Sequence, residues 1–445
     1  TSRMVSAWAT GNYTWNDIYL ADFSVRFDGS SDFGSKQRWA PFFSGGLGVN
    51  IHNYEFLKGN EMVNKLKVRA SYGRTGKASF PAYAATTMYE ALFDEWYATG
   101  FGAVLKALGN NNLTWEKTDK FNVGIEMQFL NRRLTVDADY YHDKTIDLVN
   151  DVSLSQTSGF SSYKDNMGEV LNQGFELQVR GEVFRNRDWL VALWGNMAHN
   201  KNKILKISDS QRAYNQRVKE FYENIVNEEY GRYNSKYGVP ISQYEEGQSL
   251  TSIWAVKSLG IDPTTGKEIF LNRDGSVSDT WNATQEVAVG NTEPKFNGSI
   301  GFNAAYKQWS LFAAFQYEWG GQEYNQTLVD RVENARIQYQ NVDLRVLTDR
   351  WKQPGDIAQF KDIKNADSAT MPTSRFVQDK AYLRLSALTL SYDFNREWIK
   401  KYLGMNMLRL EASTRDFINW NSIRQERGLS YPKSWTVDFS IKAQF

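Results

Sequence analysis

The sequence predicts an all-β protein, specifically a transmembrane antiparallel β-barrel with long extracellular loops, and three observations lead to this fold class. In the last eleven residues, Trp435 to Phe445, apolar and polar side chains alternate strictly, as in a strand with one apolar and one wet face. About 9–11 such residues, when tilted, cross a bilayer. The chain also contains 15 Trp, 24 Tyr and 26 Phe, an excess that two interfacial girdles would explain. Similar alternating segments recur along the whole chain.

Composition narrows the class of protein further. The mean hydropathy of −0.56 is compatible with membrane strands, because half of every barrel strand faces water. No run of about 18 apolar residues occurs, so no transmembrane helix is predicted. The net charge of +1 favours neither nucleic acid nor an acidic partner. Cysteine is absent, which excludes disulfides, thiolate metal sites and cysteine nucleophiles.

Alternation predicts about thirteen membrane strands. In chain order, two lie within 4–28 and the others lie at 42–51, 66–72, 121–129, 134–140, 175–183, 189–199, 296–306, 308–319, 381–394, 407–417 and 435–445. On the second strand the residues between the apolar ones are Asp22, Ser24, Arg26 and Asp28. Charges at every other position are too costly for a sandwich core, but they suit the lumen side of a wide barrel.

The lengths of the connections predict the direction of each strand. Short turns of bacterial barrels lie on the periplasmic side and long loops lie outside. Two strands separate each neighbouring pair of short connections, as this rule requires, if 252–271 is a hairpin within an external loop. The same count places the C-terminus in the periplasm. Because such barrels have an even number of strands, an odd number of strands is expected to precede Thr1, about nine for a barrel of about 22. No signal peptide is recognisable at Thr1, so an N-terminal part is expected to be missing.

Two long segments are predicted to be extracellular loops. The first, 200–294, contains a helix-like stretch around Val218 to Ile225 and a hairpin around Asp262 to Gly266. The second, 320–379, is expected to contain a short helix within 328–351. The whole range 1–445 is otherwise interpreted as barrel.

No motif predicts catalysis, a cofactor or a metal site. Residues 72–77 (YGRTGK) contain two residues between the glycines, where a phosphate loop needs four. The three histidines, His52, His142 and His199, lack the short spacing of metal ligands. Residues 272–276 (NRDGS) lack the acidic ligands of a calcium loop and are better explained as a turn.

Two sets of side chains are candidates for ligand contact. Six aromatic residues in the predicted loops could stack on a sugar or an apolar ligand, although packing within a folded loop is the more frequent role: Trp96, Tyr97, Phe160, Tyr163, Trp254 and Trp281. Five charged residues alternate with apolar ones and are predicted to line the lumen, where they would hydrate it, dock a plug or contact the ligand: Arg26, Arg69, Glu126, Glu176 and Arg180.

Eight passages, in order along the chain, resemble the SusC-like TonB-dependent transporters of the Bacteroidota outer membrane. They are RFDGSSDFG (26–34), LKVRASYGRTG (66–76), LTWEKTDKFNVGIE (113–126), FLNRRLTVDADYYHDKT (129–145), NMGEVLNQGFEL (166–177), GIDPTTGKEIF (260–270), VGNTEPKFNGSIGF (289–302) and DKAYLRLSALTLSYDF (379–394). Each passage is weakly specific, but together they cover essentially the whole chain.

The resemblance implies a 22-stranded barrel with an N-terminal plug, driven by the TonB-ExbB-ExbD system. It implies a SusD-like surface lipoprotein as a lid, possible pairing of two transporter-lipoprotein units, and oligosaccharide cargo, with peptides in some members. The plug and the TonB box have no counterpart in this sequence. Phe445 would serve recognition by the barrel-assembly machinery.

Three other functions remain open at this point. A receptor for siderophores or cobalamin would work without a lid lipoprotein, and a structural or adhesive barrel would import nothing. An enzyme barrel needs an activated nucleophile or a pair of carboxylates. No Ser/His/Asp arrangement is recognisable in the sequence, and no pair of carboxylates stands out among its 51 acidic residues.

Overall fold

The fold is described from a computed structural model. It describes residues 3–33, 38–77, 85–97, 100–110, 113–153, 162–166, 168–227, 238–335, 337, 341–365, 370–394, 396–424 and 435–445.

Strands dominate the described residues. In chain order they are β1 (Met4–Trp15), β2 (Tyr19–Ser30), β3 (Trp39–Asn50), β4 (Val63–Lys77), β5 (Met88–Tyr97), β6 (Gly100–Ala107), β7 (Glu116–Phe129), β8 (Leu134–Ile146), β9 (Val149–Ser153), β10 (Ser162–Asn166), β11 (Glu169–Arg185), β12 (Trp189–Lys206), β13 (Ser252–Ala255), β14 (Lys257–Ile261), β15 (Glu268–Leu271), β16 (Val277–Ser278), β17 (Val287–Asn291), β18 (Phe296–Tyr306), β19 (Trp309–Tyr324), β20 (Val377–Asp393), β21 (Met407–Thr414), β22 (Asn419–Asn421) and β23 (Val437–Gln444). The helices are α1 (Asp209–Asn227), α2 (Gln326–Leu328) and α3 (Arg396–Leu403).

One antiparallel sheet contains the strands that alternation predicts. Its order is β1-β2-β3-β4-β7-β8-β11-β12-β18-β19-β20-β21-β23, and the short β22 pairs with β20. Each of the thirteen strands on this path corresponds to a predicted one, which confirms the fold class. Among the described residues β1 pairs only with β2 and β23 only with β21, so the two ends of this sheet do not meet.

Cross-strand register extends the alternation over the whole sheet. Apolar residues pair with apolar ones from strand to strand, as in Val123 with Tyr140 and Tyr140 with Phe175. The aromatic side chains of Phe23 and Phe439 are 58% and 81% exposed. They are therefore not part of a compact interior, and the outer face of the sheet forms the belt that a membrane barrel needs.

The apolar belt has the height of a bilayer core. On β7 it runs from Phe121 to Phe129, and nine residues at about 3.4 Å, tilted by about 40°, rise roughly 20–25 Å. On the same face, the next outward position is Asp119, where the Nε of Arg74 lies 2.6 Å from Oδ1. Lys144 pairs with Asp119 in register, so the apolar belt ends where this charged row begins.

Aromatic residues mark the opposite edge of the belt. Four of them lie side by side in one register row near the short turns: Trp189, Tyr306, Trp309 and Tyr392. The ring centroids of the first pair are 4.4 Å apart and those of the last pair are 4.8 Å apart. Such a row is typical of the interfacial girdle of a membrane protein.

A charge at the middle of the belt is expected to impair folding into lipid. Ile300 lies midway along β18 and is 47% exposed on the apolar face, so Ile300→Arg should cost about 2–4 kcal/mol at the bilayer midplane. Asn303→Arg on the polar face of the same strand is the matched control and should fold almost normally. Urea titration of vesicle-inserted protein, followed by heat-modifiable gel mobility, measures both, and equal losses would contradict the assignment of the two faces.

Successive connections lie at opposite ends of the sheet. At one end, called here the turn end, the connections after β1, β7, β11 and β18 have two to four residues and those after β3 and β20 have 12 and 13. At the other, the loop end, the connection after β2 has eight residues and all the others are longer than any at the turn end. The connection after β20 contains α3. No helix in the described ranges is both long and apolar enough to span a membrane.

The long connections contain structure of their own. The helix-like stretch near Val218 belongs to α1, and the predicted hairpin is β14 and β15. The turn at 272–276 joins β15 to β16, and the backbone N–H of Asn272 donates to the carbonyl of Ser276 at 2.9 Å. In the described residues of 328–351, the helix-like pattern corresponds to the end of α2 and to short helical turns. Its apolar residues Val329, Val332 and Val346 belong to a local buried core.

Candidate functional site

The polar face of the sheet carries a network of charges that crosses three strands. Lys65 donates from Nζ to Oε2 of Glu126 at 2.5 Å, and the Nε of Arg69 lies 3.4 Å from Oε1 of the same carboxylate. Arg69 also donates from Nη2 to Oδ1 of Asp139 at 2.6 Å and from Nη1 to Oδ1 of Asn122 at 3.2 Å. The network spans β4, β7 and β8, so it links neighbouring strands through their side chains as well as their backbones.

Of the five charged residues predicted to line the lumen, the structure brings Arg69 and Glu126 into contact. Arg26 lies on the same polar face but is bonded locally, from Nε to Asp28 Oδ1 at 2.6 Å. Glu176 lies beside Asp139 in register, and Arg180 lies beside Trp194. All five share one face, and their contact with a ligand or a plug stays a prediction.

At the loop end, two long connections fold together into what we call the loop unit, the described residues of 207–295 and 325–376. The N–H of Val256 donates to the carbonyl of Pro372 at 3.2 Å, and the N–H of Ser374 donates to the carbonyl of Val256 at 2.9 Å. One apolar cluster contains Val218 and Tyr222 from the first connection and Met371 from the second. The loop unit is thus a packed structure and not a set of independent loops.

A buried ionic cluster connects the two connections. The guanidinium of Arg375 donates from Nη2 to Glu268 at 2.9 Å and to Glu333 at 2.6 Å. Side chains of Arg375 and Glu268 are each 10% exposed, and that of Glu333 is fully buried. One cation thus compensates two carboxylates that are 107 and 42 residues away in the chain. This cluster was not predicted from the sequence, because no local pattern indicates ion-pair partners that are so far apart in the chain.

Two of the six candidate aromatic residues line cavities of the loop unit. Trp254 is 2% exposed and forms part of the wall of a cavity of about 470 Å³, together with Pro240, Leu250 and Gln326. Trp281 lines a second cavity of about 290 Å³ and donates from Nε1 to the carbonyl of Pro372 at 3.0 Å. Both indoles therefore contribute to packing in this structure, and ligand contact by either stays a prediction.

Three of the other four aromatic candidates lie on paired strands of two short hairpins. Trp96 and Tyr97 end β5, where their backbones pair with Phe101 and Gly100. Tyr163 pairs with Val152 between β10 and β9, and Phe160 lies outside the described residues. Phe445 follows β23 and is 79% exposed.

A buried carboxyl group lies between α1 and the rest of the loop unit. Glu286 is 1% exposed, its Oε2 accepts a hydrogen bond from Nε2 of Gln243, and its Oε1 has no hydrogen-bond partner among the described residues. Burial raises the pKa of Glu286 to about 8, because the charged form loses its hydration. The carboxyl is therefore largely protonated at neutral pH, a property that the sequence alone did not indicate.

Nothing in the described part of the chain is arranged as a metal centre, since no group of three His, Asp or Glu side chains is suitably placed. The described site thus consists of a charged face on the sheet and of the loop unit at one end of it.

A family model described as the TonB dependent receptor-like β-barrel matches residues 1–413. TonB-dependent receptor P3 of Formosa agariphila is 27% identical over 94% of this chain and 41% of its own length. TonB-dependent receptor SusC of Bacteroides thetaiotaomicron is 33% identical over 46% of this chain and 21% of its own length. The chain thus spans less than half the length of the curated relatives it matches.

Solved structures show the same fold. The RagAB peptide importer in its closed-closed state superimposes with a TM-score of 0.80 at 24% identity, over 99% of this chain and 48% of that one. Its open-open state gives a TM-score of 0.79 at 23% identity, over 100% and 47%. Since the family model covers nearly the whole sequence, the chain belongs to the β-barrel of the TonB-dependent receptor family.

Proposed function

We propose that the protein imports nutrient oligomers across the outer membrane as a SusC-like barrel, with oligosaccharides as the expected cargo and peptides as the alternative. Family membership implies an outer-membrane location. The observation that carries the proposal is the polar face, which continues across the thirteen strands and presents charged networks such as that of Arg69 and Glu126. A face of this kind, turned inward, lines a route for a hydrated cargo.

Orientation follows from the two ends of the sheet. The loop end, including 200–294 and 320–379, would face the outside, and the turn end and the C-terminus would face the periplasm, as in bacterial barrels with short periplasmic turns. The aromatic row at the turn end would then lie at the periplasmic interface.

No bond is broken in the proposed mechanism, and the named relatives are receptors and not enzymes. Cargo would be enclosed between the loop unit and a SusD-like lipoprotein, and force from TonB on a plug would open the lumen. Arg26, Arg69, Glu126, Glu176 and Arg180 would keep the lumen hydrated and hold the plug until then. Cavities beside Trp254 and Trp281 would receive part of the cargo.

Exposed apolar side chains of the loop unit support a protein partner. Leu344 and Leu347 are 66% and 69% exposed, and Ile357 is 95% exposed. Apolar residues left open on an otherwise folded surface are typical of an interaction site. A surface lipoprotein seated on the loop unit would cover them, and two such pairs could associate.

Deletion of the gene from its own host tests the proposed import. Growth on a panel of purified glycans and peptides should be lost for one oligomer and retained on its monomer, because only the oligomer needs the transporter. Re-expression of the gene should restore growth, and a variant without the TonB-contacting segment should not. Unchanged growth on every oligomer would favour a structural or adhesive barrel.

Affinity purification of the protein from native membranes tests the partner. A lipoprotein of SusD type should be recovered in about equal amount, and Leu344→Asp together with Leu347→Asp should reduce its recovery. If growth depended on the protein for an iron chelate or a cobalamin, and no lipoprotein partner were recovered, the protein would instead be a receptor for siderophores or cobalamin.

A further inference from the structure

The helix α3 lies in the connection after β20, at the turn end of the sheet. It occupies Arg396–Leu403 and is followed by Gly404, whose φ is +66°, as is common for the residue after a helix. Ile399 is 1% exposed and packs against the rest of the chain, whereas Trp398 and Tyr402 are 49% and 63% exposed. Because residues four apart are neighbours on a helix surface, these two rings form one exposed aromatic face.

A series of ring contacts connects this aromatic face to the membrane belt. The N–H of Phe394 donates to the carbonyl of Leu408 at 3.0 Å, so the chain is still paired two residues after Tyr392, and both side chains lie on the apolar face. The ring centroid of Phe394 lies 5.0 Å from that of Tyr392 and 6.1 Å from that of Trp398. The Trp398 ring then lies 5.8 Å from that of Tyr402. The exposed face of α3 therefore continues the lipid-facing surface of the sheet.

The height of α3 corresponds to the headgroup layer of a bilayer. The aromatic row that contains Tyr392 is expected to mark the edge of the hydrocarbon core. Phe394 is two residues nearer the turn end, which is a rise of roughly 5 Å along a tilted strand, and each headgroup layer is about 5–7 Å thick. The rings of Trp398 and Tyr402 follow Phe394 and therefore lie within this layer, where amphipathic rings are enriched.

Lysine side chains accompany the aromatic rings at this height. The Nζ of Lys401 lies 5.2 Å from the ring centroid of Tyr402, and that of Lys307 lies 5.2 Å from the ring centroid of Tyr306 in the aromatic row. At a membrane interface, the apolar stem of a lysine packs along apolar surface while its ammonium group reaches water. Both pairs have the arrangement that such an interface favours.

The other long connection of the turn end extends the aromatic surface in the same way. It joins β3 to β4, and the ring centroid of its Tyr54 lies 6.3 Å from that of Tyr19 and 5.8 Å from that of Phe56. Tyr19 in turn stacks on Trp15 at 5.5 Å, and Phe56 is 74% exposed. Two connections at distant positions of the sheet thus present rings beyond the belt, and a lipid leaflet is a neighbour that both would share.

We propose that α3 is an interfacial anchor, with Trp398 and Tyr402 among the phospholipid headgroups of the leaflet at the turn end. In the proposed orientation this is the periplasmic leaflet. Glu397 lies on the same helix as Lys400 and Lys401, so the contact requires no particular headgroup charge. The proposal rests on the membrane belt of the sheet and is independent of the cargo and of a lid.

Spin labels on three positions of α3 test the proposal in the whole protein, purified from its outer membrane and reconstituted into phosphatidylcholine vesicles. The chain contains no cysteine, so Trp398→Cys, Tyr402→Cys and Lys400→Cys each add one labelling position to it. The unsubstituted protein, treated alike, gives the background. Lys400 is exposed and two residues from each ring, which places it on the opposite side of the helix, because successive residues are about 100° apart.

The measurement compares collisions of each label with oxygen, which concentrates in lipid, and with a water-soluble nickel chelate. The ratio of oxygen to chelate collisions should be several times higher at 398 and 402 than at 400. An equally low ratio at all three positions would overturn the proposal, because α3 would then lie in water.

A face that is covered by protein gives a different result. Few collisions with either reagent at 398 and 402 would show that a second copy or a periplasmic protein covers the rings, and this too would overturn the proposal. Heat-modifiable gel mobility identifies the folded variants, and two ring positions keep the test decisive if one variant does not fold. Growth on the oligomer is a separate measurement, so failure of the anchor and failure of the import proposal are distinguishable.

Discussion

Arg375→Ala is expected to open the loop unit while leaving the membrane sheet intact. The substitution leaves the carboxylates of Glu268 and Glu333 without their shared cation in a site that is 10% exposed or less. Breaking a buried ion pair from one side costs about 3–5 kcal/mol. Hydrogen exchange in the peptides 256–271 and 329–335 should therefore increase by about two to four orders of magnitude, since about 1.4 kcal/mol corresponds to a factor of ten.

Arg212→Ala is the matched control for this prediction. Arg212 also lies in the loop unit and approaches two carboxylates, Asp209 at 3.7 Å and Glu246 at 3.4 Å, but its side chain is 57% exposed. Exposed pairs contribute about 0–1 kcal/mol, so exchange should change little. If the two variants behaved alike, the cluster around Arg375 would have no special role in holding the connections together.

The loop unit of the wild type is expected to lose stability at alkaline pH, and Glu286→Gln is expected to abolish this loss. The pKa of Glu286 is about 8 in the folded chain, above the ordinary value of 4.5. The stability that the neutral carboxyl contributes is therefore fully present below about pH 4 and decreases as the pH rises through about 8. Between about pH 6 and 9 the loss should be about 3 kcal/mol. Glutamine cannot ionise, so the variant should lose this dependence.

Hydrogen exchange of the peptides 209–224 and 281–291, corrected for the intrinsic rate at each pH, measures this effect. The control is Glu223→Gln, since Glu223 is exposed and lies on α1, within the first of these two peptides. The control should follow the wild type at every pH. A flat profile in the wild type would contradict the prediction, because it would show that folding does not change the protonation of Glu286 over this range of pH.

The strands could be predicted because their cause is local. Period-two alternation is encoded residue by residue, so each membrane strand was identifiable without knowledge of its partners. Their ends were less predictable: 175–183 was predicted for β11, which runs from Glu169 to Arg185. At the loop end the strands continue beyond the belt, where both faces are polar and the alternation disappears. The hairpin of β5 with β6 was missed because apolar residues lie on both faces of these strands, as in the neighbours Val104 and Leu105, so no alternation is visible.

The candidate site was predictable only where it follows from strand parity. Arg69 and Glu126 were assigned to one face from alternation alone, and their contact is a consequence of register. The protonated Glu286 and the cluster around Arg375 depend on packing between connections that are remote in the sequence. The role of Trp254 as a buried wall similarly depends on neighbours, such as Gln326, that no local pattern reveals.

Strands that follow one another in the chain also lie side by side in the sheet. Every long connection therefore leaves and returns at neighbouring positions about 5 Å apart, and its closure entropy rises only slowly with length. Insertions and deletions there leave pairs such as Ile300 with Phe315 unchanged. Evolution can thus change the ligand specificity of such a protein by altering one long connection at a time, while the strands that insert into the membrane stay unaltered.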